Sequence, residues 1–146
     1  MTIVGFNFEK IQAERTSNLQ GNINIRNNLN IIDVAQENLP IQKSEDVLKF
    51  TFEYVVEYMS DVGQIKIAGH ILFMDDPKKT KEIIKYWKKE KKVTDEVMQQ
   101  IINTILFRCN IKALSLSQEV NLPPHIPLPL LEKVPVKKNS SKDYIG

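Results

Sequence analysis

The stretch VLKFTFEYVVEYM, residues 47–59, constrains the fold more than any other part of the chain. Leu48, Phe50, Phe52, Tyr54, Val56 and Tyr58 fall on one parity and Lys49, Thr51, Glu53 and Glu57 on the other, with Val55 the exception. Successive side chains of a strand point to opposite faces, so the pattern predicts a strand with one apolar, aromatic face and one polar face. A chain that contains such a strand must also supply a layer to cover it.

Three further segments alternate in the same way. IVGFNFEKIQAER runs through Val4, Phe6 and Phe8, then slips phase to Ile11 and Ala13, as a bulged strand does. Ile23, Ile25, Leu29 and Ile31 share a parity in INIRNNLNIIDVA, and Ile65, Ile67, Ile71 and Phe73 share one in QIKIAGHILFM. SDVG supplies turn residues between the last two segments. Short connections predict a four-stranded antiparallel meander with one covered face.

The period changes at MDDPKKTKEIIKYWKKEKK. Asp75 or Asp76 can cap a helix and Pro77 suits its first position, after which Ile83, Ile84 and Trp87 form a narrow apolar stripe among lysines. A second helix begins with Thr94 as cap, and Asp95 and Glu96 suit its dipole. Its Val97, Met98, Ile101, Ile102, Ile105, Leu106, Cys109 and Ala113 span more than one face. One side can lie on the sheet; the breadth predicts that another meets a second subunit. Strands followed by helices define an α+β domain.

VNLPPHIPLPLL, Val120 to Leu131, has four prolines in twelve residues and is neither helix nor central strand. Val120, Leu122, Ile126, Leu128, Leu130 and Leu131 offer too much apolar area to leave in water, at ~25 cal/mol per Å2 buried. The segment is expected to lie extended across its own domain or its neighbour's, the prolines lowering the entropy lost in fixing it. Residues 1–131 thus read as one domain and 132–146 as a flexible basic tail.

The net charge, +2 from 20 basic and 18 acidic residues, gives no strong general field for nucleic acid. The single cysteine excludes an internal disulfide framework, and no basic and apolar leader or membrane-length run is found. A soluble, cytoplasmic protein without membrane insertion is the expectation. Catalytic chemistry is thin. His70 reads as a strand histidine on the less apolar face, His125 as a surface or packing residue, and Cys109 as a small buried hydrophobe. The histidines lie too far apart in sequence to suggest a metal site, and no nucleotide-binding glycine pattern occurs. No enzyme activity, cofactor or metal is expected. The lysine run with Tyr86 and Trp87 could bind RNA, but its apolar stripe favours a solvated helix packed on the sheet.

Four strands, a shorter and a longer helix and a proline-rich end resemble the SecB protein-export chaperone family. The paired aromatic alternations, GQIKIAGHILF and VNLPPHIPLPLL carry the resemblance, which is one of architecture and extends roughly from Val4 to Leu131. It implies a non-enzymatic dimer or dimer of dimers that holds unfolded polypeptide against apolar grooves without nucleotide. Candidate contacts are Phe6 and Phe8 in the first strand, Tyr58 and Trp87 near element ends, and Leu122, Ile126 and Leu128 in a proline segment that would line or gate the groove. SecB proteins are usually acidic and dock a motor partner, SecA, through an acidic sheet surface. This chain is slightly basic and mixes Lys49 with Glu53 and Glu57, a departure that weakens any such partnership. The alternatives are an adaptor for one specific protein partner and an RNA-binding module.

Overall fold

The computed structural model describes residues 2–17, 21–38, 46–59, 61–92 and 95–129. The alternating segments form strands β1 (Thr2–Arg15), β2 (Ile25–Glu37), β3 (Asp46–Tyr58) and β4 (Gly63–Asp75), followed by helices α1 (Pro77–Glu90) and α2 (Asp95–Glu119). The α+β order expected from the sequence is the order observed. All neighbouring strands run antiparallel.

The sheet is not the expected meander: its order is β1-β4-β3-β2. β2, β3 and β4 follow one another, and β1 lies against the far side of β4, a Greek-key arrangement. Parity tells which face a residue takes, not which strand lies beside it. The Thr16 N–H donates to the Val62 carbonyl at 2.8 Å and Ser17 Oγ donates to the Asp61 carbonyl at 3.2 Å. Beyond the same turn, the Met59 N–H donates to the Asn24 carbonyl at 2.8 Å. The β1–β2 connection is therefore tied at both ends to the β3–β4 turn, and carries the chain from one edge of the sheet to the other.

β3 and β4 pair without a register shift from Asp46–Asp75 to Tyr58–Gly63. The six apolar-face residues of β3 are at most 1% exposed, and Ile65, Ile67, Ile71 and Phe73 of β4 are fully buried beside them. Each such side chain contributes ~1.5–3 kcal/mol on burial. Gly69 stands where nothing larger fits: a Cβ there would lie 2.1 Å from the Asn7 carbonyl oxygen and 3.1 Å from Phe52 Cζ. The edge strands are less regular. β1 shifts register at Val4 and Glu9, and β2 at Ile32. The Glu9 bulge is the phase slip legible in the sequence, and it places Ile11 and Ala13 opposite Ile67 and Ile65.

Both helices cover the same face, α1 over β2, β3 and β4 and α2 over β4 and β1. Asp76 caps α1 by accepting from the Lys79 N–H at 2.9 Å, with Pro77 following, as expected. Lys91 closes the helix in the left-handed region, its N–H bonded to the Trp87 carbonyl at 2.8 Å. Thr80 Oγ1 donates to Asp46 Oδ2 at 3.2 Å and ties α1 to the start of β3. The expected cap of α2, Thr94, lies outside the described residues. Val97, Ile101, Ile105, Cys109, Ala113 and Leu116 form the buried stripe of α2. Cys109 is indeed a buried thiol, its pKa pushed up to about 12 by desolvation, with Arg108 acting in the opposite direction.

After α2 the chain turns at Asn121 (φ 56°), and the Leu122 N–H bonds back to the Ser117 carbonyl at 2.8 Å. The segment then docks on its own domain: Leu122 and His125 are buried, and the Pro123 carbonyl accepts from the Tyr58 hydroxyl at 2.6 Å. Leu130, Leu131 and the tail 132–146 lie outside the described residues.

Candidate polypeptide-binding surface

β1 and β2 each pair on one side only, so each presents an outer row of backbone donors and acceptors that no described strand occupies. Beside that row β1 exposes the polar Asn7, Glu9 and Lys10 together with apolar side chains, Val4 at 40% and Ile11 at 43%. Phe6 and Phe8, half-buried between them, meet edge to face with ring centroids 5.1 Å apart, and Phe6 leans on Phe52 at 5.4 Å. The Arg108 guanidinium of α2 sits 4.6 Å above the Phe6 ring. On β2, the bulge turns Ile32 outward at 53% exposure and lets Val34 rejoin the core.

α2 carries a second exposed apolar side, but not at the residues whose spacing predicts one: Met98, Ile102 and Leu106 are half-buried beside the core stripe. Opposite its buried stripe stand Phe107 and Ile111, 67% and 56% exposed and one turn apart. Helical spacing places Gln100, Thr104, Leu114 and Gln118 on the same side, a strip without a formal charge.

The proline segment closes over the end of the sheet through a small polar cluster. The Tyr54 hydroxyl donates to Asn110 Oδ1 at 2.8 Å, and His125 Nε2 lies 2.9 Å from the same oxygen. An amide oxygen only accepts, so Nε2 carries a proton, and in the neutral imidazole that burial favours Nδ1 is unprotonated. Nδ1 is buried and finds no hydrogen-bond donor among the described residues. Burial lowers the His125 pKa. Desolvation, then the Cys109 thiol and Tyr58, push Tyr54 up to about 12, and desolvation does the same to Tyr58. These groups hold position; none is poised to exchange protons at neutral pH.

The candidate residues divide. Phe6 and Phe8 lie at the edge strand and Leu128 is 44% exposed, while Ile126 is half-buried. Tyr58 and Trp87, expected near the surface, are only 1% and 6% exposed. Pro123 and Leu122 close over Tyr58, and α1 folds Trp87 onto the sheet. Leu122 is likewise core. Val4, Ile11, Ile32, Phe107 and Ile111 are exposed apolar residues outside the candidate set, and the last two lie outside the apolar positions whose spacing predicts a broad face on α2. His70 faces away from the helices, as expected, between the Glu9 carboxylate at Nδ1 and Asn7 Nδ2 at Nε2, 3.3 Å away. Among the described residues no group of three or more His, Cys, Asp and Glu could hold a metal ion, and no helix is long and apolar enough to cross a membrane.

Sheet order and helix placement together define a SecB-like fold. Among solved structures the chain is similar to the SecB-like chaperone Rv1957 of Mycobacterium tuberculosis, solved with a ChAD peptide from the antitoxin HigA1 (Rv1956). The likeness covers 90% of this chain and 89% of that one, with a TM-score of 0.54 and 15% sequence identity. No family model matches the sequence, and no curated protein is significantly similar to it.

Proposed function

We propose that the chain is a non-enzymatic chaperone of the cytoplasm that assembles with itself and holds unfolded or partly folded polypeptide. One observation carries this reading: apolar side chains stand uncovered at Val4 and Ile11 on an edge strand and at Phe107 and Ile111 on α2. An extended client can add backbone hydrogen bonds along β1 and place alternate side chains against the Phe6–Phe8 pair. The charge-free strip of α2 suits a second copy, giving a dimer or dimer of dimers. The proline segment, from the core anchor Leu122 to the exposed Leu128, would line or gate the groove.

Light scattering during size-exclusion chromatography, with and without a chemically unfolded client, tests this. The expected result is an oligomer that carries the unfolded client and ignores its folded form, and that Phe107→Ser with Ile111→Ser reduces in size. A monomer, or an oligomer indifferent to the client, would overturn the reading.

A second reading is an adaptor for one specific protein. It is favoured by the structural neighbour having been solved with a peptide from an antitoxin. A single tight partner, with no affinity for unrelated unfolded chains, would select it.

A further inference from the structure

The lysines of α1 remain unexplained by that reading. Residues 77–92 contain eight lysines and two glutamates, so this stretch stands at +6 and the rest of the +2 chain at −4. The charge is not spread evenly over the helix. Lys81, Lys85, Lys88 and Lys89 line a groove of about 550 Å3 together with Ile84 of the same helix and Gln36 of β2. All four lysines are exposed, and among the described residues none is ion-paired. Ile84 is half-buried, packed below against the core and open above to the groove.

We infer that this groove docks an acidic polypeptide segment in which carboxylates flank an apolar side chain. Four unneutralised ammoniums around one patch attract negative charge and repel positive charge. An apolar floor, widened by the lysine methylenes, needs a side chain to fill it. A nucleic-acid backbone brings the charge but not the apolar group. The aromatic ring that could have stacked on bases, Trp87, is 6% exposed and faces the sheet, while Tyr86 lies on the helix surface away from Ile84. The chain's own segment 130–146 carries four lysines against two acids, so it lacks the net negative charge such a groove selects. The site lies on α1 and β2, apart from the β1 edge and the outer face of α2. It therefore does not depend on the client-holding role proposed for those surfaces.

The test is fluorescence anisotropy with three labelled probes: a short peptide alternating Glu and Leu, an all-Glu peptide of the same length, and a single-stranded oligouridine. Each is titrated with the full chain and with K85E/K88E, whose fold is checked by circular dichroism. The mixed peptide is expected to bind tightest, and charge reversal to weaken it roughly tenfold. Ile84→Ser should weaken the mixed peptide several-fold and leave the all-Glu peptide unchanged. Tighter binding of oligouridine, equal binding of the two peptides, or indifference to K85E/K88E would each overturn the inference. Retention of an unfolded client without acidic segments should survive K85E/K88E, so loss of this groove and failure of the client-holding reading give different results.

Discussion

β3 and β4 have a strand on each side, whereas β1 and β2 have one each. The central pair keeps one register over its whole length, and its apolar face vanishes beneath the helices. The edge strands carry similar residues in similar alternation, yet they are bulged at Val4, Glu9 and Ile32 and leave several apolar side chains in water. The same pattern thus serves two ends. Where it is covered from both sides it provides stability, and where one side is open it provides surface. Bulges also interrupt the regular edges, limiting indiscriminate pairing between copies.

The centre should break first and hardest. Phe52→Ala removes a fully buried ring from β3, and large-to-small changes at such sites cost ~3–5 kcal/mol. Urea unfolding is expected to show the loss at an unchanged slope. A cost below about 1 kcal/mol would mean that the centre is not the stable part.

Gly69→Ala attacks the seam between the two regions. Its new methyl group meets the Asn7 carbonyl of β1, so the edge strand must shift while β3 and β4 keep their pairing. A cost of ~1–3 kcal/mol is expected. Hydrogen exchange should localise it, with faster exchange in β1 and little change in β3. Uniform acceleration would show that the edge is not separable from the centre.

Much of the fold was legible in the sequence. The period of β3, the Glu9 bulge, the Asp76–Pro77 helix start and the burial of Cys109 are all local signals, set by residues within one element. What stayed hidden depends on neighbours. Phe6 and Phe50 sit in equivalent alternations, and only the strand order makes one half-buried and the other core. Tyr58 and Trp87 lie near element ends, where exposure is a fair expectation. A carbonyl supplied by Pro123 and the fold of α1 onto the sheet take both inside. On α2 the apolar breadth was visible, but the exposure of Phe107 rather than Leu106 required the orientation of the helix on the sheet.

The proline segment gives a smaller effect, dependent on pH. Its His125 is held neutral, with a folded pKa below the ordinary value of about 6.5. Above that value both folded and unfolded chains are neutral here, and no stability is lost. As pH falls through it, the unfolded chain takes up a proton that the folded one resists. Stability then declines by at most about 1.4 kcal/mol per pH unit, the limit for one proton. Thermal unfolding at descending pH, compared with His125→Gln, isolates this contribution. Parallel curves for the two proteins would show that His125 is not the group responsible.

The smallest effect on stability is expected where the largest effect on function is proposed. Val4→Lys with Ile11→Lys places two charges beside the open edge of β1, at side chains already 40% and 43% exposed. Surface changes of this kind usually alter stability by within ~0.5 kcal/mol. They would nevertheless remove the apolar flank that an incoming extended chain needs, and present it with charge instead. Denaturant midpoints close to those of the parent chain, together with lost retention of an unfolded client, would separate the two regions in one variant. If retention survives, binding does not run along β1, and the uncovered strip of α2 with Phe107 and Ile111 becomes the surface to alter next.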